Sequence, residues 1–242
     1  MVVLLLDSNF SEATLQVGGD LDLRNVGAKV WPRVVAMCKA ERLRLYHLTI
    51  ETLDGAQGLS FTRALELEWA TKIRSLSPVF QLGELTSLSV FDFPKLEDLN
   101  GIESLTHLKE LNLSGSRGSL NPRLRIQSLE PVTRLRALSS LSLTNAVLGD
   151  DDLTVLSRCT ELRRLRLSNQ FDRAQVAHLA NRLNPQLEAP LMAYLDTNIP
   201  CGVCGRPKVM ITGRGMPILC PACNQAKFER FSDQFHALAA GA

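Results

Sequence analysis

Aromatic side chains are scarce in this chain. Phenylalanine, tryptophan and tyrosine together make up 5% of its 242 residues. The apolar interior must therefore be built from leucine and other aliphatics. A dominant charge is also missing. The formal net charge is +2, too small to point by itself to nucleic acid or an anionic membrane. Long hydrophobic runs are absent too. Val2 to Leu6 is apolar, but no basic segment precedes it and Asp7 follows at once. Neither a secretory signal nor a membrane span is therefore expected, and the segment is expected to cap the first edge of the fold. The expected compartment is cytoplasmic, where six cysteines are reduced or metal-bound.

Catalytic signatures are missing as well. There is no phosphate-binding glycine loop, no dinucleotide fingerprint and no nucleophile elbow. His47, His107, His178 and His236 are scattered, without a base or ligand at catalytic spacing. The expectation is that the chain is not an enzyme. With 45% hydrophobic and 21% charged residues, it has an ordinary globular composition.

What is present is a returning L-x-L pair. The pairs are Leu21/Leu23, Leu43/Leu45, Leu65/Leu67, Phe91/Phe93, Leu111/Leu113, Leu141/Leu143 and Leu165/Leu167, at intervals of 22, 22, 26, 20, 30 and 24 residues. Such a period indicates a solenoid, whose units bury their apolar edges by stacking on one another. Between the pairs, apolar residues recur every third position, as in Leu99, Ile102, Leu105, Leu108 and Leu111. That period suits a tight helical return with three residues per turn. The switch to a period of two marks a strand.

The stretch 96–116, LEDLNGIESLTHLKELNLSGS, resembles the leucine-rich repeat family, in particular the short bacterial class of internalin-like proteins. The resemblance covers about residues 18–195. It implies an α/β fold: a right-handed solenoid with a parallel sheet on its concave face. The family usually places Asn or Cys three residues after the second strand leucine. Here those positions read Val26, Leu48, Ala70, Leu96, Ser116, Ala146 and Gln170, so no asparagine ladder is expected. Residues 115–122 (GSRGSLNP) read as an inserted loop. Asp150 to Asp152 are placed to cap a helix over about 151–158, and residues 172–183 read as a closing helix.

Strand alternation turns the residues beside the leucines to the opposite face. The residues expected to meet a protein partner there are Arg42, Arg44, Glu66, Glu68, Asp92, Glu110, Asn112, Arg164 and Arg166. They form an acidic centre (Glu66, Glu68, Asp92, Glu110) beside a basic end (Arg164, Arg166, helped by Arg158 and Arg163). The alternative is a solvated face whose charges serve solubility alone.

The character changes after residue 195, which divides the chain into a solenoid (1–195) and a small module (196–242). Cys201-x-x-Cys204 and Cys220-x-x-Cys223 have the spacing of a zinc site. Four thiolates fill a tetrahedral Zn2+ and leave no open position, so the site would be structural. The segment resembles a zinc ribbon, with a hairpin across Gly213-Arg214-Gly215 and a helix over 224–240. A redox pair and a disulfide are the alternatives. Cys38 and Cys159 read as buried core thiols. Arg206, Lys208, Arg214 and Lys227 leave open a second functional class, in which the ribbon contacts nucleic acid. Phe228 and Phe231 would serve as stacking groups there, or else dock the last helix onto the solenoid.

Overall fold

The computed structural model describes residues 2–6, 10–117 and 120–241. The repeats become strands β1 (Val2–Leu5), β2 (Asp20–Val26), β3 (Arg42–Leu48), β4 (Ala64–Glu68), β5 (Ser87–Phe91) and β6 (Glu110–Ser114), followed by β7 (Leu124–Ile126), β8 (Ser140–Thr144), β9 (Ala146–Leu148) and β10 (Arg164–Leu167). Eight of them form one parallel sheet in the order β1-β2-β3-β4-β5-β6-β8-β10. This is the leucine-rich-repeat solenoid. Strands β7 and β9 pair separately beside it. Val2–Leu5 does more than cap: it extends the sheet by a strand, in register with Leu21–Arg24.

The register stacks leucine on leucine. Leu43 pairs with Leu21 and Leu65, and Leu45 with Leu23 and Leu67. All are at most 2% exposed, and each such burial contributes about 1.5–3 kcal/mol before entropy is counted. One strand is phased differently from the sequence expectation. The core pair of β5 is Leu88/Val90, which pairs with Leu65/Leu67 and Leu111/Leu113. Phe91 is the last residue of the strand, and Phe93 is buried in the turn beyond it. The intervals on either side are then 23 residues each.

The turns after the strands account for the missing asparagines. Asn25, His47, Trp69, Asp92 and Asn145 occupy equivalent turn positions, and all have left-handed backbone with φ between 46° and 61°. The next residues, Val26, Leu48, Ala70, Phe93 and Ala146, are buried and apolar. The turn amides bond from unit to unit instead: Trp69 N–H to the Phe91 carbonyl (3.0 Å), Ala70 N–H to Asp92 (3.1 Å) and Asp92 N–H to Ser114 (3.1 Å). Backbone groups that an asparagine would satisfy are thereby occupied.

The returns are mostly short 3-10 turns, at Ala56–Gly58, Val79–Gln81, Ile102–Ser104, Glu130–Arg134 and Thr154–Arg158. The last replaces the helix expected over 151–158. Leu153 is its N-cap and makes no side-chain capping bond; Asp152, one residue earlier, accepts from Thr154 N–H at 2.9 Å. One return is helical, α1 (Trp31–Met37), and Trp31 anchors it by donating to the Asp54 carbonyl at 2.7 Å. Within the expected loop 115–122, Gly118 and Ser119 lie outside the described residues.

Helix α2 (Arg173–Leu183) closes the solenoid. Asp172 caps it, accepting from Ala174 and Gln175 N–H at 2.8 and 3.2 Å. The C-terminal module is an antiparallel sheet of β11 (Tyr194–Pro200), β12 (Pro207–Ile211) and β13 (Ile218–Leu219), followed by α3 (Gln225–Ala240). Its small core is Val209, Ile211 and Leu219. The module is tied to the solenoid through Asn169, whose amide donates to the Ile211 carbonyl (2.8 Å) and accepts from Gly213 N–H (2.7 Å). Arg173 also donates to the Thr212 carbonyl at 2.9 Å. Gly213 has φ +122°, and an added Cβ would lie 2.7 Å from Arg173 Cβ. Only glycine fits that approach.

Candidate binding face and cysteine centre

Alternation leaves one face of the sheet open. Across its middle run Asp22, Arg44, Glu66, Ser89, Asn112, Ser142 and Arg166, each opposite its neighbour in register. Arg42, Arg44, Glu66, Glu68, Glu110, Asn112, Arg164 and Arg166 are on this face, as the alternation implies. Asp92 is not. It follows β5 in the left-handed turn, and Ser87, Ser89 and Phe91 take the open-face positions instead.

The acidic centre is largely neutralised within the chain. Arg44 donates to Asp22 (2.8 Å), Glu66 (3.0 Å) and Glu68 (2.6 Å). Burial works against the Arg44 charge, but the Glu68 hydrogen bond and the Asp22 and Glu68 charges outweigh it and hold the guanidinium above its ordinary range. Arg117 reaches over from the loop after β6. It pairs with Glu66 (3.2 Å) and Glu68 (3.3 Å) and lies 3.4 Å above the Phe91 ring. Nothing in strand periodicity marks Arg117, because it comes from an insertion. Glu110 is taken by Arg164 at 3.0 Å.

The basic end shrinks in the same way. Arg158 pairs with Glu130, and Arg163 with Glu161 at 3.8 Å. Arg166 is exposed and makes no ion pair among the described residues. Beside it lies a field of hydroxyls and amides. Asn112 donates to Ser89 (2.9 Å) and Thr144 to Ser114 (2.9 Å). Two cavities of about 840 and 510 Å³ open on this part of the face.

His47 and His107 each bond to the neighbouring repeat. His47 stacks on Trp69 at 4.1 Å and bonds Asn25 at 2.7 Å; His107 meets the Gly83 carbonyl at 3.0 Å. Both roles are structural.

Cys201, Cys204, Cys220 and Cys223 converge as their spacing implies. All four sulfurs lie within 4.8 Å of one another. Cys201 and Cys223 are 3.8 Å apart, Cys204 and Cys220 3.5 Å. A tetrahedron with metal–sulfur bonds of about 2.3 Å has edges of about 3.8 Å. The donor set therefore fits one metal ion. The two turns are rigid: Gly205 N–H bonds the Cys201 carbonyl, and Asn224 N–H the Cys220 carbonyl, each at 2.9 Å. The backbone amides of Cys204 and Val203 lower the Cys201 thiol to about 6, and that of Cys223 leads in lowering Cys220. Cys223 is pushed up to about 12, chiefly by sharing hydrogen bonds with Cys204 and Cys201. Cys201 thus favours the thiolate, the form that binds metal. Cys38 and Cys159 are buried elsewhere; burial raises both thiols, Cys159 to about 11.

The groups offered for nucleic-acid stacking are occupied. Phe228 and Phe231 pack on the ribbon core, and Phe228 meets Tyr194 edge-on at 5.1 Å. Phe235, 2% exposed, packs α3 onto the solenoid core with Ala239 beside it, and Phe231 also meets the solenoid end, its carbonyl accepting from Arg173. Arg214 pairs with Asp151 at 2.8 Å.

No protein-family model matches the chain, and no curated protein matches it. Among solved structures it is similar to an internalin of Listeria monocytogenes, at 16% identity over 64% of this chain and 45% of that one, with a TM-score of 0.48. Internalin C2 of the same organism has 17% identity, 74% and 72% coverage and a TM-score of 0.49. A leucine-rich-repeat protein of Leptospira interrogans has 24% identity, 66% and 38% coverage and a TM-score of 0.46. The chain spans less than half the length of the first and third. The fold assignment rests on the strand register itself. Among the described residues, no helix is long and apolar enough to cross a membrane.

Proposed function

We propose that this chain is a non-enzymatic protein-binding module whose partner docks on the open face of the sheet. The observation that carries the reading is the set of open-face residues between β5 and β10. There most side chains are polar, the cavities are broad, and Arg166 makes no ion pair among the described residues. Preformed solenoid faces of this kind suit extended recognition surfaces. The internally paired region around Arg44 serves as a rigid flank of that surface.

The second part of the reading is that Cys201, Cys204, Cys220 and Cys223 hold one Zn2+. The metal would supply a fixed tetrahedral crosslink between the two Cys-x-x-Cys turns, and no catalysis. The module would run from Tyr194, where its first strand begins, and would brace the end of the solenoid. Free buried thiols at Cys38 and Cys159 accord with a reducing, cytoplasmic compartment.

The test is a pair of variants. Asn112→Arg combined with Ser142→Arg crowds the open face without touching the leucine core. It should abolish capture of the native partner while leaving the melting temperature near that of the unaltered chain. Arg136→Glu, outside that face, should leave capture intact. Equal capture by both variants would remove the open face from the account.

A further inference from the structure

Three cavities meet at one residue. Arg166 lines the polar groove of about 840 Å³, the neighbouring one of about 510 Å³, and a third of about 300 Å³ between β10 and the C-terminal module. The third is different in character. Its walls include Leu167, Phe171, Val176, Leu191 and Met192 from the solenoid end, and Leu195 from β11 of the module. Met192 is 45% exposed and Leu195 37%, so its lip presents apolar surface to solvent.

The cation at this junction makes no ion pair among the described residues. Its neighbour two residues before, Arg164, is engaged by Glu110, and Arg214 across the module is engaged by Asp151. Arg166 has Ser142 opposite it in register and no carboxylate within ion-pair distance among the described residues. A guanidinium next to hydroxyls, at the mouth of an apolar pocket, offers two recognition elements at once. One is a bidentate anchor for a carboxylate. The other is a cavity at the small end of the range for ligand pockets, about 300–1,000 Å³, which accepts one large apolar side chain.

We infer that the junction of solenoid and zinc module is a docking site for an extended acidic peptide segment of a protein partner, in which an Asp or Glu lies beside a large aliphatic or aromatic residue. The carboxylate pairs with Arg166, and the apolar side chain enters the pocket between β10 and β11. The flanking peptide backbone runs over Ser142 and Asn112. This inference rests on the open-face reading and assigns it a partner chemistry. It also gives the C-terminal module a share in recognition, since Leu195 and Thr212 line the same pocket.

The experiment uses the zinc-loaded full chain and a random twelve-residue peptide library displayed on phage. The expected enrichment is an acidic residue adjacent to Leu, Ile, Phe or Met. Synthetic copies of the enriched peptides should bind at least tenfold more weakly to Arg166→Glu and to Leu195→Asp. They should bind unchanged to Ala64→Arg, on a distant part of the open face. Zinc content and circular dichroism confirm that each variant is folded. Enriched peptides that are lost in Ala64→Arg but kept in Arg166→Glu would overturn the site while leaving the open-face reading standing. No enrichment over an unrelated solenoid would overturn the peptide site, and partner capture by the Asn112→Arg, Ser142→Arg variant would then decide the open-face reading separately. Arg166-dependent binding of decanoate with no peptide enrichment would make the occupant a lipid-like anion and overturn the peptide assignment.

Discussion

Arg44 donates to Glu68 across neighbouring strands at 2.6 Å. The pair is half-buried, and Glu68 also receives Arg117 at 3.3 Å. Removing one member of such a network leaves the others under-compensated. Glu68→Gln should therefore lower stability by about 1–3 kcal/mol in urea denaturation. Glu68→Lys should lose more, because it sets a cation against two guanidinium groups. Charge reversal at this position reports on folding before it reports on any partner.

Asp92 carries the opposite sign of effect. Burial, followed by the like charge of Glu68, raises its carboxyl above the ordinary value, and among the described residues Oδ1 has no hydrogen-bond partner. A carboxyl whose folded value is raised binds more protons in the native state than in the unfolded one. Its ionisation therefore subtracts stability as pH rises above the ordinary carboxylate value. Asp92→Asn removes the charge and keeps a residue that tolerates left-handed backbone. The variant should melt higher than the unaltered chain at pH 7. The difference should close as pH falls toward the ordinary carboxylate value. Paired melting curves across that range check it.

The phase of β5 is tested by two substitutions. Leu88 is fully buried, and Leu88→Ala should cost about 2–5 kcal/mol. Phe91 is half-buried on the open face beneath Arg117, and Phe91→Ala should cost about 1 kcal/mol. Comparable losses at the two positions would contradict the register.

That strand also shows where the sequence was legible and where it was not. Most repeats contain a single L-x-L pair, so their leucines could be placed in the core from spacing alone. The segment LSVFDF contains two consecutive candidates in opposite phase, Leu88/Val90 and Phe91/Phe93, and local alternation fits either. The register with β4 and β6 decides, and that is a long-range property. Placing Phe91/Phe93 in the core would put Asp92 on the open face in place of Ser89. The charge pattern was legible as composition but not as energetics, because the pairing of Glu66 and Glu68 depends on Arg117 in an inserted loop. The convergence of the four cysteines was legible because Cys-x-x-Cys spacing fixes each half of the site within one turn. The role of Phe235 was hidden, since helical spacing marks Phe228, Phe231 and Phe235 alike.

The metal proposal makes a stoichiometric prediction. The purified chain should contain about one zinc per molecule, as tightly binding four-thiolate sites do. Cys220→Ser should lose it, while Cys38→Ser and Cys159→Ser should retain it. Elemental analysis after gel filtration decides. Zinc bound equally by the Cys220 variant would remove the four-cysteine centre.

The central claim is that a protein partner sits on the open face between β5 and β10. Site-specific photocrosslinking in native cells tests it most directly. A photoreactive residue at Ser142 should capture a discrete protein partner, and the same residue at Arg136, outside the face, should not. Capture of the same partner from Arg136, with none from Ser142, would contradict the account.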